Sequence, residues 1–184
     1  MKKSEKKWMS LMKKLSLILS SFIIFLILLS FEVKSDEIKL ISGTARVIDG
    51  DSIEINKKKI RLFGIDAPEL KQECLKESRP YFCGIVSKQN LKKYVQGKKI
   101  NCEYTKLDRY KRILAICRLN CFFWGDDPDC EKFSLNKYMV RSGYAIAYKK
   151  YSKKYLNDQE WAKKFKLGIW NGIFENPEEW RKNN

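Results

Sequence analysis

Ile41-Ser42-Gly43-Thr44-Ala45-Arg46-Val47-Ile48-Asp49-Gly50-Asp51-Ser52-Ile53-Glu54-Ile55 opens the folded part of this 184-residue chain. Ile41 to Ile48 is rich in β-branched and apolar residues, and Asp49-Gly50 is a hairpin turn signal. Ser52 to Ile55 alternates polar and apolar with a period of two. Asn56 to Lys59 then turns, and Ile60 to Ile65 predicts a third strand. Three short strands joined by tight turns set the register of everything that follows.

Leu70 to Pro80 is charged and irregular and reads as a loop. Ile85 to Val95 predicts a helix, with Val86, Leu91, Tyr94 and Val95 on one side and Gly97 just past its end. Lys99 to Thr105 and Arg112 to Leu119 add two strands, and Asn120 to Phe133 is an acidic loop bounded by cysteines. Leu135 to Arg141 and Leu156 to Leu167 read as helices. Trp161, Phe165 and Trp170 are expected in the core beneath the second of these. Five strands, a helix after the third and helices at the end predict an α+β fold with a mostly β core. The expected form is a five-stranded Greek-key barrel of the OB type with about three helices.

Upstream, six lysines between Lys2 and Lys14 precede an apolar run from Leu15 to Phe31, followed by Val33-Lys34-Ser35. Residues 1–35 therefore read as a signal peptide cleaved after Ser35, or as an N-terminal membrane anchor if retained, with Met12 as an alternative start. Residues 36–184 form the expected domain, exported to the periplasm or the medium. The chain carries 38 basic and 22 acidic residues. Removing the leader's seven lysines and two glutamates leaves 31 against 20, a net charge of +11 on the domain. A field of that sign attracts polyanions, nucleic acid foremost.

Six cysteines in an exported chain read as disulfides rather than a zinc site, because no Cys-x-x-Cys pair and no histidine is present. Cys102 and Cys117 are nearly symmetric about a turn at Arg109-Tyr110 and are expected to pair. Cys74 with Cys83, and Cys121 with Cys130, would each staple a loop. The lack of histidine also excludes Ser-His-Asp triads and His-ligated metal nucleases.

Arg61-Leu62-Phe63-Gly64-Ile65-Asp66-Ala67-Pro68-Glu69 places one arginine and two carboxylates at the end of the third strand. Asp51 lies upstream, and Asp108-Arg109-Tyr110-Lys111-Arg112 supplies a second arginine downstream. Carboxylates hold a hard cation and guanidinium forks hold a phosphate, the two requirements of a metal-assisted phosphodiesterase. Each piece also has an ordinary reading: a turn at Asp49-Gly50, a surface ion pair between Arg61 and Asp66, one more basic residue in Arg112. Their combination is the informative signal.

Four segments resemble the staphylococcal nuclease family in order and spacing: Val47 to Ser52, Arg61 to Glu69, Asp108 to Ala115, and Leu135-Asn136 to Ala147. The likeness runs from about Gly43 to Trp170. The resemblance implies an OB barrel with helices that cleaves phosphodiester bonds of DNA and RNA and depends on Ca²⁺, ahead of Mg²⁺. It implies that Asp51, Asp66 and the main-chain carbonyl of Ala67 bind the metal, and that Glu69 serves as general base. Arg61 and Arg112 would grip the scissile phosphate. Tyr110 would lie near the nucleotide, and Tyr148 and Tyr151, whose spacing is one residue shorter than the family's, would pack on a base or sugar. The expected partners are DNA and RNA as substrates, with no obligate protein partner, a monomeric state and a possible membrane tether. The competing expectation is a non-catalytic OB-fold binder of nucleic acid.

Overall fold

Ile53, Ile55, Ile60 and Leu62 are fully buried, so the alternation in the opening segment is realised as a hairpin. The hairpin is seen in a computed structural model that describes residues 2–29, 37–121, 130 and 132–184. The chain divides into two units, Met1–Asp36 and Glu37–Asn184. In the first, helix α1 spans Lys2–Leu29. Among the described residues no helix is long and apolar enough to cross a membrane. The expected cleavage point after Ser35 lies outside the described residues.

The second unit is built on a six-stranded sheet. Its strands are β1 (Lys39–Gly43), β2 (Arg46–Val47), β3 (Ser52–Ile55), β4 (Lys58–Leu62), β8 (Ile100–Leu107) and β9 (Ile113–Leu119). Their order is β1-β8-β9-β4-β3-β2. Strands β1 and β2 sit at opposite ends of that order, yet only Thr44 and Ala45 separate them in sequence. The sheet must therefore curl until its ends meet, which makes the barrel. All pairings are antiparallel except β4 with β9, where Ile60, Arg61 and Leu62 face Ile113, Leu114 and Ala115 in parallel. The β3–β4 turn is tighter than expected. Asn56 and Lys57 both take positive φ, at 50° and 62°, as a two-residue hairpin turn of the primed type requires.

Two expected strands are each divided. Ile41 to Ile48 breaks into β1 and β2, and Ile60 to Ile65 breaks at Phe63-Gly64. Past that turn, β5 (Ile65–Asp66) leaves the main sheet to pair with β10 (Ile146–Ala147). The stretch expected as an irregular loop holds a second hairpin, β6 (Glu73–Lys76) with β7 (Arg79–Phe82). Its charged strands and Pro80 conceal it, but it is a two-stranded ribbon at the surface, where proline and charge are tolerated.

Helix α2 (Cys83–Val95) buries Leu91 and Val95. Helix α3 (Leu135–Arg141) buries Leu135, Met139 and Val140 and is capped by Ser134, whose side chain accepts from the Lys137 amide. Asn136, fully buried, locks α3 to the barrel. Its Nδ2 donates to the carbonyls of Phe63 (2.9 Å) and Ala115 (3.2 Å), and its Oδ1 accepts from the Cys117 amide (3.1 Å). Helix α4 (Leu156–Lys164) ends earlier than expected and is followed by a 3₁₀ turn, Gly168–Asn171. A further helix, α5 (Pro177–Asn183), was not anticipated.

Trp161 and Phe165 are not core residues. They are 42% and 49% exposed and pack on each other, with the Arg141 guanidinium 4.0 Å from the Trp161 ring centroid. Helical spacing alone cannot tell an apolar face turned to the core from one covered by a long cation. Ile169 does reach the interior, and Trp170 is half-buried against Phe174.

The three expected disulfides are present: Cys74–Cys83, Cys102–Cys117 and Cys121–Cys130. Cys102 and Cys117 are directly opposed in the β8–β9 ladder and fully buried. Most of the expected acidic loop from Asn120 to Phe133 lies outside the described residues.

Candidate active site

Alternation on β4 sends Ile60 and Leu62 into the barrel and Arg61 the other way. The register opposite β3 sets Arg61 against Ser52, one residue from Asp51. The Arg61 guanidinium bridges two carboxylates: Nη2 lies 2.8 Å from Asp66 Oδ1, and Nη1 contacts Asp51 Oδ1. Burial pushes Arg61 below its ordinary pKa, against the pull of Asp66 and Asp49. Asp51 is further held by the Ala67 amide, which donates to Oδ2 at 2.7 Å, and by the Ser52 hydroxyl at 3.1 Å. Asp66, on β5, is fully buried.

Glu69 sits on the loop after β5, half-buried. Its amide donates to Gln72 Oε1 at 3.2 Å, and its carbonyl accepts from the Gln72 amide at 2.8 Å. The start of α2 packs so closely on this loop that a Cβ at Gly84 would overlap the Glu69 carbonyl. A Cβ at Gly50 would likewise strike the Ser87 hydroxyl on α2. Both glycines therefore let α2 fix the two acidic loops from behind.

Arg112 comes from the turn between β8 and β9. Asp108 organises that turn: its Oδ1 accepts from the amides of Tyr110 (2.9 Å) and Arg112 (2.8 Å), and its Oδ2 accepts from Arg112 Nε (2.7 Å). Burial acts to raise the Asp108 pKa, but these hydrogen bonds and the Arg112 charge outweigh it and hold it below the ordinary range. The exposed Tyr110 ring lies under Arg109 and Arg112, at 4.8 and 5.5 Å. Tyr148 and Tyr151 meet edge to face at 4.9 Å, and the Tyr148 amide donates to the Gly64 carbonyl at 2.9 Å.

One cleft of about 990 Å³ gathers nearly all of these groups. Asp51, Arg61, Ala67, Glu69, Tyr110, Arg112, Tyr148 and Tyr151 line it, and Asp66 lies beneath. Two lining residues carry more than sequence reasoning assigned them. Asp49 does form the turn, its Oδ1 accepting from the Asp51 amide at 3.0 Å, but it also lines the cleft, and burial pushes its pKa up. Arg181, on the unanticipated helix α5, was missed. Its Nη1 lies 3.0 Å from Asp66 Oδ1 and 2.8 Å from Glu69 Oε1, and its Nη2 lies 2.9 Å from Asp66 Oδ2. The signal that could have found it is Asn176-Pro177, an N-cap followed by proline at the first helical position.

The donors available to a cation are all hard oxygens: Asp51, Asp66 and the Ala67 carbonyl, with Glu69 adjacent. That set fits a hard divalent ion in type and charge. Among the described residues no group of three or more acidic or cysteine side chains is arranged to hold a metal. The carboxylates instead face the guanidiniums of Arg61 and Arg181.

Residues 59–172 match the family described as staphylococcal nuclease homologue. The chain is 35% identical over 133 residues to a succinoglycan biosynthesis protein, ExoI, of Rhizobium meliloti, covering 71% of this chain and 64% of that protein. It is 34% identical to an uncharacterized endonuclease of Escherichia coli, over 68% of this chain and 73% of that protein. An uncharacterized endonuclease of Haemophilus influenzae is 33% identical, over 76% and 74% respectively.

Proposed function

Because the chain belongs to the staphylococcal nuclease family, we propose that it is an exported nuclease hydrolysing phosphodiester bonds of DNA and RNA with little sequence preference, dependent on Ca²⁺. The observation that carries this reading is the array Asp51–Arg61–Asp66, with Glu69 beside it and Arg112 on the same cleft. These five residues come from separate loops and strands and meet only when the barrel closes. A binder without turnover would use the arginines and tyrosines but has no need of a buried acidic pair beside Glu69.

Asp51, Asp66 and the Ala67 carbonyl would hold the cation, which when bound supplies Lewis-acid polarisation and neutralises phosphate charge. Glu69 takes a proton from the attacking water. The water oxygen bonds to phosphorus as the bond from phosphorus to the leaving sugar oxygen breaks, and that oxygen takes up a proton from solvent to leave as the alcohol. Arg61 and Arg112 hold the non-bridging oxygens, where negative charge grows in the transition state. Fixed guanidinium forks do this better than mobile ammonium groups. Tyr110, Tyr148 and Tyr151 offer aromatic surface to the nucleotide, and base stacking of this kind tolerates any sequence.

Three disulfides support an oxidising destination, and the lysine-flanked apolar leader supports export. The domain's charge of +11 supports a polyanionic substrate. The test is digestion of single-stranded DNA and of RNA by the disulfide-intact chain, with Ca²⁺ and with a calcium chelator. Cleavage of both with Ca²⁺ and of neither with chelator is expected. Absence of Ca²⁺-dependent cleavage by folded protein would overturn the proposal.

A further inference from the structure

Helix α5 brings a cation of its own to the acidic cluster. The Arg181 fork spans both oxygens of buried Asp66 and one of Glu69, at 2.8 to 3.0 Å. The planar guanidinium fork meets both Asp66 oxygens at once and reaches Glu69 as well, a bidentate, charge-assisted contact. Asp66 is thereby held from two sides, since Arg61 already takes Oδ1.

The helix that carries Arg181 has seven residues, too few to persist without tertiary support. Its support divides into two parts. The segment before it and its first residue are fixed independently of Arg181: Ile173 bridges to Leu75, Gln72 Nε2 donates to the Glu175 carbonyl at 2.7 Å, and Pro177 is buried. The helix itself meets the cleft through Arg181 and through Glu178, which shares a side-chain hydrogen bond with Tyr148 and pairs more loosely with Lys150 at 3.6 Å. Lys182 pairs with Glu179 within the helix. Asn183 Nδ2 donates to Glu175 Oε1 at 2.6 Å and ties the far end of α5 back to its root, so releasing Arg181 would loosen the helix from the acidic pair as a unit while its root stays in place.

We propose that Arg181 competes with the divalent cation for Asp66 and in the same position masks the proton acceptor Glu69, so that the C-terminal helix gates metal loading. With α5 seated, the guanidinium neutralises the carboxylates. Cation binding would bring positive charge to the Asp66 oxygens that Arg181 holds and requires Arg181 to withdraw. The inference rests on the reading of Asp51 and Asp66 as cation ligands.

The test is calcium titration calorimetry on the disulfide-intact chain, comparing wild type, Arg181→Ala and Arg181→Lys, with amide exchange across residues 177–183 measured with and without Ca²⁺. Arg181→Ala is expected to bind Ca²⁺ about tenfold tighter, equivalent to about 1.4 kcal/mol. Arg181→Lys should follow it most of the way, because an ammonium has no planar fork to hold both Asp66 oxygens bidentately. In the wild type, Ca²⁺ should speed exchange across 177–183. Equal or weaker Ca²⁺ binding by Arg181→Ala overturns the gate and leaves the metal reading standing. Wild-type affinity in Arg181→Lys beside tighter binding in Arg181→Ala reduces the effect to charge alone and also overturns the gate. No Ca²⁺ binding by any of the three removes gate and metal reading together.

Discussion

Replacing Asp108 with alanine removes three hydrogen bonds from the β8–β9 turn and frees Arg112 without touching it. Two of the three are to the Tyr110 and Arg112 amides in a solvent-facing turn, where water can replace the lost acceptor. Each is worth about 1 kcal/mol net. The third is a partly exposed ion pair with Arg112, worth about 0.2–1 kcal/mol. The sum is about 2–3 kcal/mol, or roughly 5–10 °C in melting temperature for a domain of this size. In cleavage, the guanidinium is still present but no longer held, so the loss should be about tenfold. That is well short of the 10²–10³ on the order of which a deleted transition-state donor costs. Because Asp108 acts through Arg112, the double variant D108A/R112A should cleave no more slowly than R112A alone.

The folded state holds the Asp108 pKa below its unfolded value, so its contribution is complete above the ordinary aspartate pKa of about 3.9. It is lost as pH falls through the lower, folded value. Thermal melts of wild type and D108N should therefore differ most near neutral pH and converge in acid. Single-turnover cleavage by D108A, R112A and the double variant supplies the second readout. Additive losses in the double variant, or a melting difference that persists in acid, would refute the positioning role.

Gly84→Ala should destabilise the domain by about 3 kcal/mol or more, since its Cβ would overlap the Glu69 carbonyl and both partners are backbone; urea unfolding measures this, and a change under about 0.5 kcal/mol would show that the loop yields. Replacing Cys102 and Cys117 together with alanine should cost about 3 kcal/mol, the loop-closure value for roughly 15 residues. Denaturant titration checks it, and mass mapping of the unmodified chain should find all six cysteines oxidised.

The barrel was legible where apolar and polar residues alternate, as in Ser52 to Ile55, and where cysteines constrain pairing, as at Cys102 and Cys117. It was less so where a strand changes partner. Phe63-Gly64 reads as the middle of a strand because the apolar pattern continues through it, yet β5 bonds to β10 from far along the chain. The β6–β7 hairpin lacks glycine in its turn, and Glu77 and Ser78 take positive φ of 49° and 62° with no sequence signal for it. Trp161 and Phe165 share the spacing of core residues, and only the position of Arg141 shows what covers one of them. In the site, Asp51, Arg61, Asp66, Glu69 and Arg112 were individually visible because charge beside a strand end is unusual in combination. Arg181 was not: Asn176-Pro177 marks a helix start, but nothing in that helix's sequence singles out its arginine as reaching the site. Its partner Asp66 is 115 positions away. Contacts of that range belong to the closed fold rather than to local pattern.

The central claim is that this cleft cleaves phosphodiester bonds with Glu69 as the proton acceptor. Single-turnover cleavage of single-stranded DNA by wild type and Glu69→Gln, purified in parallel and each paired with an affinity measurement, tests it most directly. The claim predicts that the variant cleaves on the order of 10²–10⁴ times more slowly, the range for a positioned general base, while its affinity for DNA stays within a few-fold of wild type. Wild-type cleavage by the glutamine variant, or an equal loss of cleavage and affinity, would contradict it.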